Sequence, residues 1–385
     1  MISPPGTIGI IGGGQLGMMA IREAQRMGYR SIVWDPDPTC PAGRLADLTI
    51  TAPWDDFRAA EQLASGADVV TFEFEHISPD TVAWLEERKQ VYPGSPILKV
   101  SQHRRVEKSE LRQRGFPVVD FEVAGSRQEL AASFRRLGLP VVVKTATAGY
   151  DGKGQTVLKS ESESEAFLAA LGSTVPEYVV ERFLDLACEI SVLVVREADG
   201  TVISFPVAEN EHRENILATT VVPARVPPEI SDEAVRMSRE IIESFDMIGV
   251  LCVEMFVTRE GTVIVNELAP RPHNSGHYSL DACDISQFEA LVRAICGVPF
   301  HVPQLLAPCA MVNLLGRNLD SLVLETLMEI PGVKLHLYGK RRREAKRKMG
   351  HVTILGSTQE DVLVMLPKIY DLIGDTGRQV STPQW

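Results

Sequence analysis

The sequence lacks any apolar run near the roughly 20 residues that a membrane-crossing helix requires, so no helical span is expected in its 385 residues. The N-terminus has no charged stretch leading into an apolar core, so no export signal is expected either. Cysteine is sparse and scattered. Cys40, Cys188, Cys252, Cys283, Cys296 and Cys309 contain no Cys-x-x-Cys pair, which argues against a zinc ribbon or a disulfide framework and fits a reducing cytoplasm. Positive charge is in deficit, 39 Lys and Arg against 51 Asp and Glu for a net charge of −12. Nonspecific attraction to nucleic acid or to anionic membrane is therefore not expected, and an anionic ligand would need a local basic pocket. Internal repeats and low-complexity tracts are missing as well. What is present is ordinary for a globular chain, 44% hydrophobic and 23% charged, with length enough for two or three domains.

Residues 7–100 alternate strand and helix signals. Thr7–Ile11, Arg30–Trp34 and Ala67–Phe72 read as short buried strands, and Leu16–Met27 has helical spacing with Gly28 as its stop. That order predicts a parallel sheet covered by helices. Tyr92-Pro-Gly-Ser-Pro96 is a break, and a boundary follows it. A helix at Val106–Arg114 then leads to strands at Val141–Lys144, Gln155–Leu158, Tyr178–Glu181 and Ile190–Val195. Leu251–Val257 and Val263–Glu267 surround a turn at Arg259-Glu-Gly261, which predicts a hairpin and an at least partly antiparallel sheet. Helices are expected near 231–245 and 284–296. Gly297–Pro303 is a second break before a small α+β remainder. The expected organisation is α/β and α+β: a Rossmann-like N-terminal domain at 1–104, a central domain at 105–300 and a C-terminal domain at 301–385.

Two segments roughly a hundred residues apart carry the chemistry. Val141-Val-Val-Lys144 followed by Gly149-Tyr-Asp-Gly-Lys-Gly154 reads as a strand ending in a cation, then a glycine-rich loop able to lie over phosphates. It is not a Walker A loop, because G-x-x-x-x-G-K-[ST] does not occur there. A lone buried lysine would be costly, so Lys144 either snorkels at an edge or meets an anion. The second segment presents Glu254 and Glu267 on two strands joined by a turn. Neighbouring carboxylates repel unless a cation lies between them, and both interrupt apolar strands, which favours Mg²⁺ ligation over a solvated face. Arg271-Pro-His-Asn-Ser-Gly-His277 adds an arginine held between prolines, two histidines and an amide. That composition suits an oxyanion site, with zinc as a weaker alternative.

Gly12-Gly-Gly-Gln-Leu-Gly17 contains G-x-G-x-x-G between a strand and a helix, with Asp35 eighteen residues further on. A dinucleotide, the phosphate of another ligand and a purely structural turn all remain open on this motif. Lys340–Lys348 is the one strongly basic run. A solvated face, a nucleic-acid contact and a lid over an anionic substrate remain open for it.

Taken together, these residues resemble the ATP-grasp enzymes, and within them the N5-carboxyaminoimidazole ribonucleotide synthetases of purine biosynthesis. The resemblance covers essentially the whole chain. It rests on Gly12–Gly17, Thr71-Phe-Glu-Phe-Glu-His76, Gly149–Gln155, Glu209-Asn-Glu-His212, Asn266–His277 and Arg347-Lys-Met-Gly-His351, of which Pro-His-Asn-Ser-Gly-His is the most specific. It implies that ATP converts bicarbonate to carboxyphosphate, which carboxylates the amine of 5-aminoimidazole ribonucleotide. Arg104, Lys144 and the loop Gly149, Tyr150, Asp151, Gly152, Lys153 and Gly154 would hold ATP phosphates. Glu181, Arg182, Phe183 and Leu184 would line the adenine, Glu189 would take the ribose, and His212 and Asn266 would lie near the nucleotide. Glu254 and Glu267 would hold Mg²⁺, with Mn²⁺ able to substitute. Arg271, His273 and Asn274 would bind bicarbonate and the developing carboxyphosphate. Gly14, Gln15, Leu16, Glu73, Tyr150, Asp151, Lys340 and Arg347 would hold the ribonucleotide. A cytoplasmic homodimer with no nucleic-acid or membrane partner is implied too. Two positions depart from the family pattern: His103 stands where Asp is usual, and Ala148 where Gly is usual. Competing readings are another ATP-grasp carboxylate–amine ligase, a nicotinamide-dependent dehydrogenase and a noncatalytic nucleotide-binding scaffold. A dehydrogenase leaves the Glu254/Glu267 pair unexplained, and a scaffold leaves the Arg271–His277 cluster unexplained too.

Overall fold

The structure, a computed structural model, describes residues 1–147, 154–376, 378, 380 and 382–385. The first sheet has five strands in the order Leu48–Ile50, Arg30–Trp34, Thr7–Ile11, Val69–Phe72, Gln90–Val91, all parallel. Its central strands are apolar along their length because helices cover both faces. Ile8, Ile10, Val33 and Val69 pack with the helix Gln15–Arg26, while Ile11, Ile32, Val70 and Phe72 pack with the helix Phe57–Gly66. Asp56 caps the latter by accepting from the Arg58 and Ala59 amides. The helix from Gln15 ends before Gly28, whose φ of +85° suits glycine. Strand order reverses between Thr7–Ile11 and Val69–Phe72, so their carboxyl ends open a crevice.

A second sheet of four antiparallel strands runs Phe121–Ala124, Tyr178–Arg182, Val141–Thr145, Gln155–Leu158. The helix Arg127–Leu137 packs on it through Leu130, Phe134 and Leu137. The third sheet has nine strands. Its main path is Val263–Ala269, Gly249–Thr258, Leu186–Arg196, Ala208–Arg213, Ile216–Val222, Cys309–Leu315, Lys348–Leu355 and Val333–Leu337, and Val202–Ser204 pairs with Leu186–Arg196. The helix Pro228–Ser244 covers one face and Gln287–Cys296 the other, the latter also packing against the N-terminal helix.

The expected hairpin is there, turning at Gly261 with φ +82°. The C-terminal segment does not form a sheet of its own. Cys309–Leu315 pairs with Ile216–Val222, so the large sheet runs across residue 300. The helix Gln359–Leu372 then closes that end over Val312, Leu314 and Ile354. This extension carries Lys348 and His351 to the same sheet as the Arg271 segment.

Candidate active site

The crevice between Thr7–Ile11 and Val69–Phe72 brings the glycine loop against Glu73. Glu73 is buried and accepts from the Gly14 amide and, at 2.7 Å, from Gly17. Asp35 accepts from Gly13 at 2.7 Å and from Asp37 at 2.7 Å. The amides of Gly13, Gly14 and Gly17 are thus already occupied by carboxylates of the same chain. Asp35, at the position where a dinucleotide-binding fold places its ribose-binding acid, serves the loop instead. Burial raises the Glu73 pKa, opposed by the two amides. The glycines are sterically required, since a Cβ at Gly14 would strike the Glu73 carboxylate. Gln15 and Leu16 open the helix, where amide groups have no acceptor within the helix.

The basic run lies over this crevice. Arg44 donates to Gly339 O at 2.6 Å, and Lys340 Nζ donates to Lys348 O at 2.9 Å. Arg347 donates to Arg342 O at 3.3 Å. Asp37 is held low chiefly by Thr39, with Arg342 and Arg347 adding to it, and Lys340 is among the charges felt by Glu73.

Two cations converge on Glu181 of the four-stranded sheet. Lys144, at the end of Val141–Thr145, and Lys108, on the helix Arg104–Gln113, both reach Glu181, at 2.8 and 3.1 Å. All three are buried. Burial opposes ionisation of Glu181, but the two ammonium groups outweigh it and hold the carboxyl at about 2. The Glu181 carboxylate is therefore clamped between lysines, and only its backbone is available to line a base. Beyond it Arg182 pairs with Asp120 at 3.2 Å, Phe183 is 42% exposed and Leu184 is half-buried. Lys108 escaped the reading of the sequence. It lies four residues after Arg104 and so on the same helical face, which is the signal that could have found it.

A bulge in the hairpin pairs Glu254 with Glu267 and then Met255 with Val265, leaving Asn266 as the extra residue. Glu267 meets Arg104 at 3.3 Å and Glu254 meets His273 Nε2 at 2.9 Å. The Asn266 side-chain oxygen is buried and without a partner among the described residues, while its backbone oxygen accepts from Lys108 at 3.3 Å. Two carboxylates and an unused amide oxygen are a hard-oxygen donor set, so these residues fit Mg²⁺. Beneath them Glu107 is fully buried. Burial, reinforced by Glu267, pushes its pKa up to about 8. Glu189 and His212 face each other across neighbouring strands, with His212 Nδ1 2.8 Å from the carboxylate.

Beyond the hairpin, Arg271 makes a two-point contact with Glu75 through Nε and Nη2, the latter at 2.8 Å, and Nη1 donates to Pro272 O at 3.1 Å. His273 Nδ1 lies 2.9 Å from Ser275 Oγ, which in turn lies 2.8 Å from Ser191 Oγ. Burial disfavours a charged ring, yet Cys252 and then Glu254 beside it hold the His273 pKa above its usual range. Asn274 is buried in a reciprocal amide pair with Asn313, at 3.0 and 2.6 Å. Its amide is thus engaged inside the fold. His277 leaves the cluster and packs against His351, ring centroids 4.8 Å apart.

Zinc is disfavoured, because His273 and His277 go to different neighbours. Asp281, His336 and His351 do approach one another. However, the rings of His336 and His351 stack 9° from parallel, so their lone pairs run side by side instead of converging. The expected contacts at Ala148, Gly149, Tyr150, Asp151, Gly152 and Lys153 lie outside the described residues. Gly154 is described, with φ +77° and its carbonyl accepting from Thr145 N at 2.9 Å.

Cations at one antiparallel sheet thus lie near paired acids on another. The ATP-grasp domain family matches residues 109–288, and the ribonucleotide synthetase preATP-grasp domain family matches residues 6–102. The chain is an ATP-grasp ligase. The phosphoribosylaminoimidazole carboxylase C-terminal domain family matches residues 309–364. N5-carboxyaminoimidazole ribonucleotide synthase of Bacillus subtilis is 42% identical over 361 residues, 94% of this chain and 94% of that protein. The Staphylococcus aureus N5-carboxyaminoimidazole synthetase complexed with ADP superposes with a TM-score of 0.91 at 39% identity, over 97% of this chain and 98% of that one. The Aspergillus clavatus N5-carboxyaminoimidazole synthase in complex with ADP and 5-aminoimidazole ribonucleotide gives 0.88 at 29%, over 96% and 98%. Within the ATP-grasp class, the chain belongs to the N5-carboxyaminoimidazole ribonucleotide synthase family.

Proposed function

We propose that this chain uses ATP to carboxylate the exocyclic amine of 5-aminoimidazole ribonucleotide with bicarbonate, releasing ADP and phosphate, in purine biosynthesis. Bicarbonate oxygen attacks the γ-phosphorus, the bond to ADP breaks, and carboxyphosphate forms. The amine then attacks its carboxyl carbon and phosphate leaves. The observation that carries this reading is that the Lys108–Lys144–Glu181 cluster, the Glu254–Glu267 hairpin and the Arg271 loop are linked by contacts through Arg104, Asn266 and Glu75.

Arg104 and Lys144 offset charge on the phosphates, with Lys108 behind them. Phe183 offers an exposed apolar face to adenine, and Glu189 an acceptor for ribose hydroxyls, with His212 beside it. Glu254 and Glu267 would hold Mg²⁺, or Mn²⁺ in its place, which when bound would neutralise charge at the phosphates. Arg271 orients bicarbonate, a weak nucleophile. His273, whose Nε2 faces Glu254 and whose Nδ1 faces Ser275, holds the Glu254 carboxylate in place beside the Arg271 loop. Asn274 contributes by fixing the loop through Asn313. Glu73, the Gln15–Leu16 helix start, Lys340 and Arg347 surround the crevice assigned to the ribonucleotide. The assigned parts are 1–104, 105–300 and 301–385. The reading includes a homodimer and a cytoplasmic setting with no nucleic-acid partner. The six cysteines are all free, which suits a reducing compartment, and no described helix is long and apolar enough to cross a membrane.

The test is ADP release with 5-aminoimidazole ribonucleotide and bicarbonate each added and omitted. Full release should require both. ADP release indifferent to the ribonucleotide, or stimulated instead by a different amine, would assign the chain to another carboxylate–amine ligase.

A further inference from the structure

The Arg271 guanidinium has two edges that can each grip a pair of oxygens, and Glu75 consumes one of them. Its Nε and Nη2 donate to the two oxygens of Glu75. Of five N–H groups, these use two, and Pro272 O takes one more from Nη1. Among the described residues, one N–H is left on each of Nη1 and Nη2, enough for two oxygens of one small anion. The side chains of Arg271 and Glu75 are 15% and 18% exposed, so the pair is largely shielded from water. The two residues come from different sheets: Glu75 follows Val69–Phe72 of the N-terminal sheet, and Arg271 follows Val263–Ala269 of the large one. The Glu75 segment is itself pinned, since Gln102 Nε2 donates to Glu75 O at 2.5 Å and to Ile77 O at 2.7 Å. Arg271 is anchored on its own side by Pro270 and Pro272 and by its amide, which donates to Ala269 O at 2.8 Å.

We propose that Glu75 is a positioning residue for the carboxylation step, fixing the plane of the Arg271 guanidinium from the neighbouring domain so that its remaining edge faces bicarbonate. The inference rests on the reading of Arg271 as the bicarbonate arginine. An unpaired arginine of this length samples several rotamers, and each misplaced one presents a single donor where two are needed. A two-point contact to a pinned carboxylate removes that freedom before substrate arrives.

The experiment uses the full-length chain with Glu75→Gln, Glu75→Asp and Arg271→Lys. Gln keeps the shape and one acceptor oxygen. Asp keeps the charge but withdraws it by one methylene, and it serves as the test if Gln fails to fold. Thermal midpoints establish folding. For each folded variant the bicarbonate KM, the ATP KM and the ratio of carboxylated product to ADP are measured. The expected result is a bicarbonate KM raised by roughly tenfold or more, a lowered product-to-ADP ratio, and an ATP KM within about threefold of wild type. A merely structural role would lower the midpoint without this split. Wild-type bicarbonate KM and product ratio in a folded Glu75 variant, with Arg271→Lys impaired in both, would overturn the positioning role alone. Wild-type values in Arg271→Lys itself would overturn the assignment of Arg271 and the inference with it.

Discussion

Replacing Glu181 by Gln removes one negative charge from the most enclosed polar cluster of the site and leaves its shape unchanged. Glu181 lies between Lys144 at 2.8 Å and Lys108 at 3.1 Å, with 3% of its side chain exposed. The substitution leaves two buried ammonium groups facing an amide. Breaking a buried pair by removing one partner costs about 3–5 kcal/mol. The carboxyl pKa points the same way, although burial also lowers the Lys144 pKa and takes back part of the gain. A fall from 4.5 to about 2 corresponds to roughly 3 kcal/mol, at about 1.4 kcal/mol per unit. For a domain of this size the loss converts to a thermal midpoint lower by roughly 10 °C. Scanning fluorimetry at pH 7 measures it without requiring two-state unfolding. Mg-ATP should shrink the deficit, because phosphate oxygens return negative charge to the lysines. The pH dependence has a fixed sign. Glu181 is depressed in the folded state, so its stabilisation is present above about pH 4.5 and is lost as pH falls toward 2. The variant should lack that loss. A midpoint within about 2 °C of wild type at pH 7 would refute the reasoning.

Glu267→Gln should lower ADP release by roughly two orders of magnitude or more in saturating Mg²⁺, with the midpoint within a few degrees of wild type. Near-native turnover would remove Glu267 from the metal site. Gly14→Ala should raise the KM for the ribonucleotide by about tenfold or more, because the new Cβ displaces the Glu73 carboxylate from the helix start. An ATP KM that rises instead would put the nucleotide in the N-terminal crevice. Glu107→Gln should flatten the pH dependence of stability in the absence of nucleotide. Glu107 is raised to about 8 by burial and Glu267, so the folded wild type binds a proton there and loses stability as pH rises from 4.5 toward 8. Midpoints of both proteins at pH 5, 6.5 and 8 should diverge in the variant's favour with rising pH, and parallel curves would contradict this.

The strands and helices of the site were legible because each is a local pattern. Apolar runs at Thr7–Ile11 and Val69–Phe72, helical spacing after Gln15 and the turn before Val263 needed nothing beyond short-range chemistry. Residue type and spacing also exposed Lys144, Glu254, Glu267 and Arg271, since each puts a charge where an apolar strand or a proline-bounded loop makes it conspicuous. The partners of these charges were not legible. Lys108 and Glu107 sit in a helix so polar that two more charges carry no signal. Glu75 is one acid in a stretch that contains two. Pairing of Glu75 with Arg271 spans 196 residues and joins two sheets, so only the docking of those sheets decides it. The same holds for Glu73 against the glycine loop. The sequence by itself determined which groups of chemical consequence exist and which elements carry them. Tertiary structure decided which group neutralises which, because burial makes an unpaired charge costly and the fold alone sets the distance at which a partner can be met.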